Sequence, residues 1–414
     1  MRPTVRRVLP LVWLAAFTAC GQGGSTGGST GRSVFDTLGV PVTHVGQAEL
    51  ARAPVWTLGE PEVLPAFAGA ARLASSTYLE SVLPLADGRR AVVTIEEGGV
   101  IAIHRVSAAG ILDGVSTIGA QDSSMRSRGD ASTALVGDTV VLLSVWGSSG
   151  SRALLPVSPA GPGTFMEWPA GMRSLVGALA DGSLLAFGDA DSRGAVAGWR
   201  LQPLIRLPAA SWHEPPAGLQ GDTVAVLGLA RDDDGRALVF AHNPLFPIAV
   251  IRELLWVAPT SAPEVVGLSG DGEPVRRFTW LTPDRKVTPE ALQQWRAQNI
   301  SGLPAGDPPE HLAVARANIE RRTAAAEYPS VTRILGTPDG HVYIERYPLP
   351  SDSGDQPRWL VFGPDGGFVA RLRSPVDATV VAVDQDHLLA RPDRGEDRPL
   401  LRYPVLRGGD DGHQ

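Results

Sequence analysis

Six times along this chain of 414 residues an apolar run is followed by a turn rich in Asp and Gly and then by a second apolar run. The pairs are Val82 to Val93 around Asp87-Gly88, Ser132 to Leu143 around Gly137-Asp138, and Leu175 to Phe187 around Asp181-Gly182. The others are Val224 to Phe240 around Asp234-Gly235, Val331 to Ile344 around Asp339-Gly340, and Val380 to Leu389 around Asp384 to Asp386. Runs this short, rich in Val, Ile and Leu and bounded by Asp-Gly turns, predict β-hairpins rather than helices. Their spacing is roughly 45 to 50 residues, with one longer gap before Asp339, and a period of that length means one supersecondary unit used repeatedly.

A second strand pair follows each of the first five hairpins. After the first come Val100 to Val106, a turn at Ala108 to Gly110, and Ile111 to Ile118; after the fifth come Trp359 to Phe362, Pro364-Asp365-Gly366, and Phe368 to Leu372. Four antiparallel strands per unit predict an all-β fold: a six-bladed β-propeller over residues 35–408, followed by a polar tail at 409–414. Beyond Leu388 only one further strand, Leu400 to Leu406, precedes that tail. The last blade therefore needs a strand from the N-terminal side, either Val40 to Val45 or Trp56 to Val63, which would close the ring and remove two exposed edges.

Trp56-Thr57-Leu58-Gly59, the Leu85-Ala86-Asp87-Gly88-Arg89 turn, Tyr328-Pro329 with Asp339-Gly340-His341-Val342-Tyr343-Ile344, and Trp359-Leu360-Val361-Phe362 carry a further signal. With these the pattern resembles the six-bladed propeller lipoproteins related to NHL and TolB-type repeats. The resemblance marks fold, not chemistry.

The first residues carry Arg2, Arg6 and Arg7 without an acid, and Val8 to Ala16 is apolar. This is the pattern of a signal peptide over residues 1–19, too short to be a permanent span. Phe17-Thr18-Ala19-Cys20 resembles the lipobox of bacterial lipoproteins, which implies cleavage before Cys20 and lipidation there; the other reading is an ordinary secretory leader with an incidental cysteine. Gly21, in place of Asp, implies the outer membrane, facing either the periplasm or the cell surface. Residues 20–34 read as the lipidated cysteine and a Gly/Ser tether whose coil dimension is about 20 Å. Cys20 is the only cysteine, so no disulfide can form within the chain and stability has to come from buried area.

The net charge is −7 at neutral pH, and losing three arginines with the leader makes the remainder more acidic still. A nucleic-acid partner is not expected. The expected partners are the lipid bilayer, through the Cys20 acyl anchor, and a protein, peptide or glycan.

Residues 283–328 break the β pattern between the fourth and fifth units. Thr288 is a good N-cap with Pro289 behind it, Leu292 and Trp295 share a helical face, and Gly302 ends the run. A second helix beginning at Pro309-Glu310 puts Leu312, Ala315 and Ile319 on one stripe. A connection of this kind runs from an outermost strand to the next innermost one, on the ring face where propellers usually bind ligands. The insertion reads as a lid or docking arm, with Trp295 and Arg316 as its binding residues, or as a helix pair in which Trp295 and Leu312 merely pack onto the ring. Arg316, Arg321, Arg322 and Arg333 face an anion on the first reading. Interspersed with Glu320 and Glu327, they are a solvated surface on the second.

No catalytic residue, metal ligand or cofactor is predicted. The eight histidines are scattered, and Asp232-Asp233-Asp234-Gly235 and the pair Asp189 and Asp191 read as loop tips, without the ligand spacing of a calcium loop. Gly-x-Ser-x-Gly occurs only inside the Gly/Ser tether, at residues 23–27 and 27–31, and not as an elbow between a strand and a helix; there is no phosphate-cradling Gly-x-x-x-x-Gly-Lys. Two functions stay open: a membrane-anchored extracytoplasmic binding scaffold, and a metal-dependent hydrolase or lyase of the lactonase-like propeller kind with its site in the central channel. Asn243, Asn299 and Asn318 are the only asparagines, which makes a lactonase-like ligand set hard to fill. On the lipoprotein reading, Cys20→Ser abolishes incorporation of a labelled fatty acid in cells and moves the protein from the detergent phase to the aqueous phase; a variant still labelled and still membrane-bound would contradict it.

Overall fold

The computed structural model describes residues 39–68, 78–85, 88–120, 126–127, 131–146, 151–168, 171–189, 199–209, 221–232, 235–243, 247–352, 356–375, 377–393 and 399–407. Cys20 and the segments read as a leader (residues 1–19) and a tether (residues 20–34) lie outside the described residues. The described chain is all-β in a propeller-like arrangement.

The first sheet takes Tyr78–Pro84, Arg90–Ile95, Ile101–Val106 and Leu112–Ile118 in chain order, each antiparallel to the next. The second takes Ser132–Val136, Thr139–Trp146 and Ser151–Ser158, and completes itself with two short strands, Gly161–Pro162 and Met166–Glu167, both paired to the third. The third is Met172–Ala178, Leu184–Gly188, Trp199–Leu207 and Asp222–Ala230. The fourth is Ile248–Ile251, Leu254–Val257, Glu264–Leu268 and Pro274–Trp280, with Val42–Val45 added in parallel to its outer strand.

The rest of the strands form one nine-stranded sheet in place of two separate units. Val331–Gly336, Val342–Arg346, Trp359–Phe362 and Phe368–Leu372 make one half, and Ala378–Val383, His387–Pro392 and Leu401–Leu406 the other. Val55–Leu58 joins them: Val55 and Trp56 pair in parallel with Arg371 and Leu372, while Thr57 and Leu58 pair antiparallel with Leu406 and Val405. Glu62–Val63 adds to the same last strand. Of the two segments proposed to meet the end of the chain, Trp56 to Val63 therefore does so, and Val40 to Val45 goes to the fourth sheet. The first strands of these groups are neighbours in chain order, and Ala378–Val383 returns to Tyr78–Pro84.

The sequence misplaces one hairpin. Asp222–Ala230 is the outer strand of the third sheet, so Asp234-Gly235 does not turn the inner hairpin of the fourth. That hairpin turns at Arg252-Glu253, where Arg252 itself adopts the left-handed conformation (φ 57°). A two-residue turn needs positive φ there, and glycine usually supplies it. Without glycine the turn left no mark in the pattern.

Strand alternation places apolar side chains between neighbouring sheets. Between the fourth and the nine-stranded sheet, Phe278 stacks on Trp256 (4.8 Å between centroids) and on Phe362 (4.0 Å), walled by Ile251, Trp280, Val331, Ile344 and Leu360. On the side of the Asp-rich turns, the turn carboxylates tie sheets together. Arg89 pairs with Asp138 (3.3 Å) and Arg90 with Asp384; Arg206 holds both Asp181 (2.5 Å) and Asp271 (2.8 Å). Arg276 donates to the carbonyl of Pro364 across the next seam (2.9 Å). The exposed pairs among these, those of Arg89 and Arg206, contribute about 0–1 kcal/mol each, so they set alignment more than stability, whereas Arg90 is buried and its partner Asp384 half-buried. Burial carries the energy: Phe278→Ala is expected to cost about 3–5 kcal/mol, read as a lower urea midpoint with an unchanged slope. A loss under about 1 kcal/mol would mean that this seam is not a packed core.

Candidate functional site

The chain leaves the fourth sheet at Trp280 and re-enters the next at Val331, and the two ends of the intervening segment pair with each other. Lys286 bridges Glu327, Val287 N–H donates to Ala326 (3.0 Å), and Tyr328 N–H donates to Arg285 (2.8 Å). This stem is fixed to the segment after the third sheet, where Val239 N–H donates to Thr323 (2.8 Å) and Ala325 N–H to Val239 (2.9 Å). Below it Arg285 donates to the carbonyl of Tyr328 (2.6 Å), to Glu327 (2.6 Å) and to the carbonyl of Ser261. Buried Tyr328 stacks on Tyr347 (5.6 Å) and leans on Phe240 (5.0 Å).

The stem carries two helices. Gln47–Arg52 being α1, these are α2 (Pro289–Ser301) and α3 (Pro309–Glu320). Thr288 Oγ1 accepts from Ala291 N–H at 3.2 Å, Pro289 opens α2 and Gly302 caps its end, as the residue types dictate. No residue of either helix is fully buried. Leu292, Trp295, Leu312, Ala315 and Ile319 are half-buried, whereas Val314 is 62% exposed.

Where α2, α3 and the hairpin after the third sheet meet lies an open cleft of about 290 Å³, lined by Trp295, Asn318, Ile319, Arg322 and Arg236. The guanidinium of Arg322 sits 5.8 Å from the Trp295 ring centroid and donates to the carbonyl of Ala237 at 2.6 Å. Arg296 in turn donates to the carbonyl of Arg322 (2.7 Å). Arg236 reaches the cleft because Asp232 shapes the turn before it, accepting the Arg236 amide at 2.7 Å. Arg231, in the same hairpin, is held below the usual arginine range chiefly by burial and further by Arg200 and Arg322, against the pull of Asp232.

The structure thus places Trp295 in a cleft, half-buried under an arginine. Arg316 is exposed on α3 and does not line the cleft. Of the other arginines considered, Arg322 lines it, Arg321 turns back to Ala317 and Asn318, and Arg333 reaches Glu345 (4.0 Å) and Val380 across the sheet. Arg236 carried no signal, because its partners in the cleft are far away in sequence.

Elsewhere the chemistry-bearing groups are engaged in structure. Asp189 pairs with Arg173 (2.7 Å), Asp339 with His341 (3.0 Å) and Asp384 with His387 (3.4 Å), and His104 contacts Thr94 (3.2 Å). Asp191, Asp233 and Asp234 lie outside the described residues. Among the described residues no three His, Cys, Asp or Glu side chains converge as a metal site would require.

No family model matches the chain, and no curated protein matches it. Solved structures resemble it distantly. A candidate exported protein of Bacteroides fragilis is 8% identical over 89% of this chain and 100% of its own, with a TM-score of 0.43. The calcium-binding protein regucalcin of Agrobacterium tumefaciens is 12% identical over 86% and 97%, at 0.39. Virginiamycin B lyase of Staphylococcus aureus, in a catalytically inactive form with quinupristin, is 9% identical over 84% and 100%, at 0.36. Likeness at this level carries no argument about ligand or reaction.

His242 lies close to the stem and gives the region a pH signature. Its Nε2–H donates to the carbonyl of Ala258 (2.7 Å), which leaves Nδ1 buried without a partner. Burial, with Arg285 adding repulsion, lowers its pKa to about 4. The unfolded chain, with an ordinary histidine near 6.5, binds the proton first, so stability present above pH 6.5 is lost as pH falls toward 4. Denaturation midpoints are expected to fall over that window by the equivalent of about 3 kcal/mol or less, and His242→Gln is expected to flatten this part of the profile. An equal slope in the variant would assign the effect elsewhere.

Proposed function

We propose that this chain is a membrane-anchored extracytoplasmic binding scaffold: a six-bladed ring that presents a ligand cleft on a helical arm. The observation that carries the binding reading is the cleft itself, in which an aromatic ring, a half-buried isoleucine and two cationic side chains converge from three separate stretches of chain. Convergent polar groups around an apolar wall are the usual make-up of a ligand site.

Six blades follow if the nine-stranded sheet is counted as two, joined by Val55–Leu58. The cyclic neighbour order of the first strands supports that count. Anchoring at Cys20, cleavage after residue 19 and an outer-membrane destination rest on the lipobox-like sequence Phe17-Thr18-Ala19-Cys20. Among the described residues no helix is long and apolar enough to cross a membrane. The metal-dependent hydrolase or lyase reading has no comparable observation behind it.

The test is a thermal-shift panel of peptides, glycans and small metabolites on the full chain. Compounds that bind only the folded state raise its Tm, and Trp295→Ala is expected to abolish that rise while moving the Tm of the free protein by no more than about 4 °C. A panel in which nothing shifts the wild type, or in which the shift survives Trp295→Ala, would overturn the reading for this cleft.

A further inference from the structure

The polar groups lining the cleft have one property in common. Arg236 and Arg322 are donors only, and so is the indole N–H of Trp295. The Asn318 amide offers both an acceptor and a donor, but its Oδ1 already accepts from Arg321 Nη2 at 2.8 Å, which leaves its NH₂. Among the described residues no carboxylate lines the cleft. In the hairpin that carries Arg236, the Asp232 carboxylate holds the amide of Arg236 through Oδ1; Asp233 and Asp234 lie outside the described residues.

The donors are also under-used. Nη1 of Arg236 and Nε of Arg322 are buried with no hydrogen-bond partner, and Nε of Arg231 and of Arg296 behind them are in the same condition. Among the described residues none of these four guanidiniums is paired with a carboxylate, although the chain as a whole carries −7. Asp232 attracts Arg231 without pairing with it; buried donors left without partners are costly, and an oxyanion offers several acceptor lone pairs at once. The ring of Trp295 and the side chain of Ile319 supply an apolar wall beside these donors, and about 290 Å³ is room for one small ring with its acid group.

Resting on the binding reading above, we infer that the cleft takes a small organic oxyanion, a carboxylate or phosphate carried on a compact ring. The ring lies against Trp295 and Ile319, and the anion is held by Arg236 and Arg322. Arg322 also ties the arm to Ala237, so its replacement disturbs the frame of the site; Arg236 has no such side-chain duty among the described residues and is the cleaner position to change.

The experiment is calorimetric titration of the full chain with phenyl phosphate, inorganic phosphate and phenol, which present the whole ligand class and each half of it. Phenyl phosphate is expected to bind tightest, to weaken as salt is raised, and to lose about tenfold or more in affinity in Arg236→Gln. Arg316→Gln, exposed and outside the cleft, is expected to change nothing. Phenol binding as tightly as phenyl phosphate, with dependence on Trp295, would overturn the oxyanion inference and leave the binding reading standing. Phenyl phosphate binding that Arg236→Gln does not weaken, or no binding of phenyl phosphate at all, would also overturn the inference; whether the cleft binds anything else is decided separately by the Trp295→Ala panel.

Discussion

Everything in this molecule depends on a strand that comes early in the chain finding partners at its end. Val55–Leu58 hydrogen-bonds to Arg371 and Leu372 on one side and to Val405 and Leu406 on the other. The residues just after it then fill the seam: Leu64 and Phe67 are buried among Leu79, Val92, Val106, Leu389 and Leu400. Cys20 being the only cysteine, no internal disulfide can take over this task. The pairing spans well over 300 residues of sequence, so its loop-closure cost has to be met by the burial that accompanies it.

The turns do two jobs. Asp-Gly pairs bend the backbone where the hairpins need it, and the same aspartates reach across to the arginines of adjoining strands. Asp181 illustrates the point: the Ser183 amide, and after it the Ser183 hydroxyl and Arg206, hold its carboxyl below the usual range against the opposing effect of burial. Arg206 then carries the connection on to Asp271. A repeat chosen for turn geometry thereby also sets the alignment of one sheet against the next. The opposite side of the molecule, where the arm leaves, relies on backbone pairing and on half-buried Arg285.

Local signals were legible and distant ones were not. Five of the six inner hairpins, the Thr288 cap and the stripe through Ile319 all rest on interactions within a few residues, and the sequence displays them. The fourth hairpin was missed because Arg252 takes a conformation that its residue type does not advertise. The fate of Val40 to Val45 depended on which of two outer strands was left free, a tertiary matter. At the cleft, Trp295 stood out as the one aromatic residue of its helix, whereas Arg236 and Arg322 matter because a turn and a helix end are brought together by the bridge between Val239 and Ala324. Arg316 looked equivalent to Arg322 in sequence. Six residues apart, the two point to different sides of the arm.

The placement of Val42–Val45 has a mechanical consequence. A pull arriving from the N-terminal side reaches this strand before it reaches Val55–Leu58, and Val42–Val45 is paired along its length with Arg277–Trp280 and rooted by Val45, which has no exposed surface. Tension is thus taken up first by the fourth sheet, which is complete without that strand. The joint that holds the two ends of the fold together sits downstream in the load path, behind that added strand.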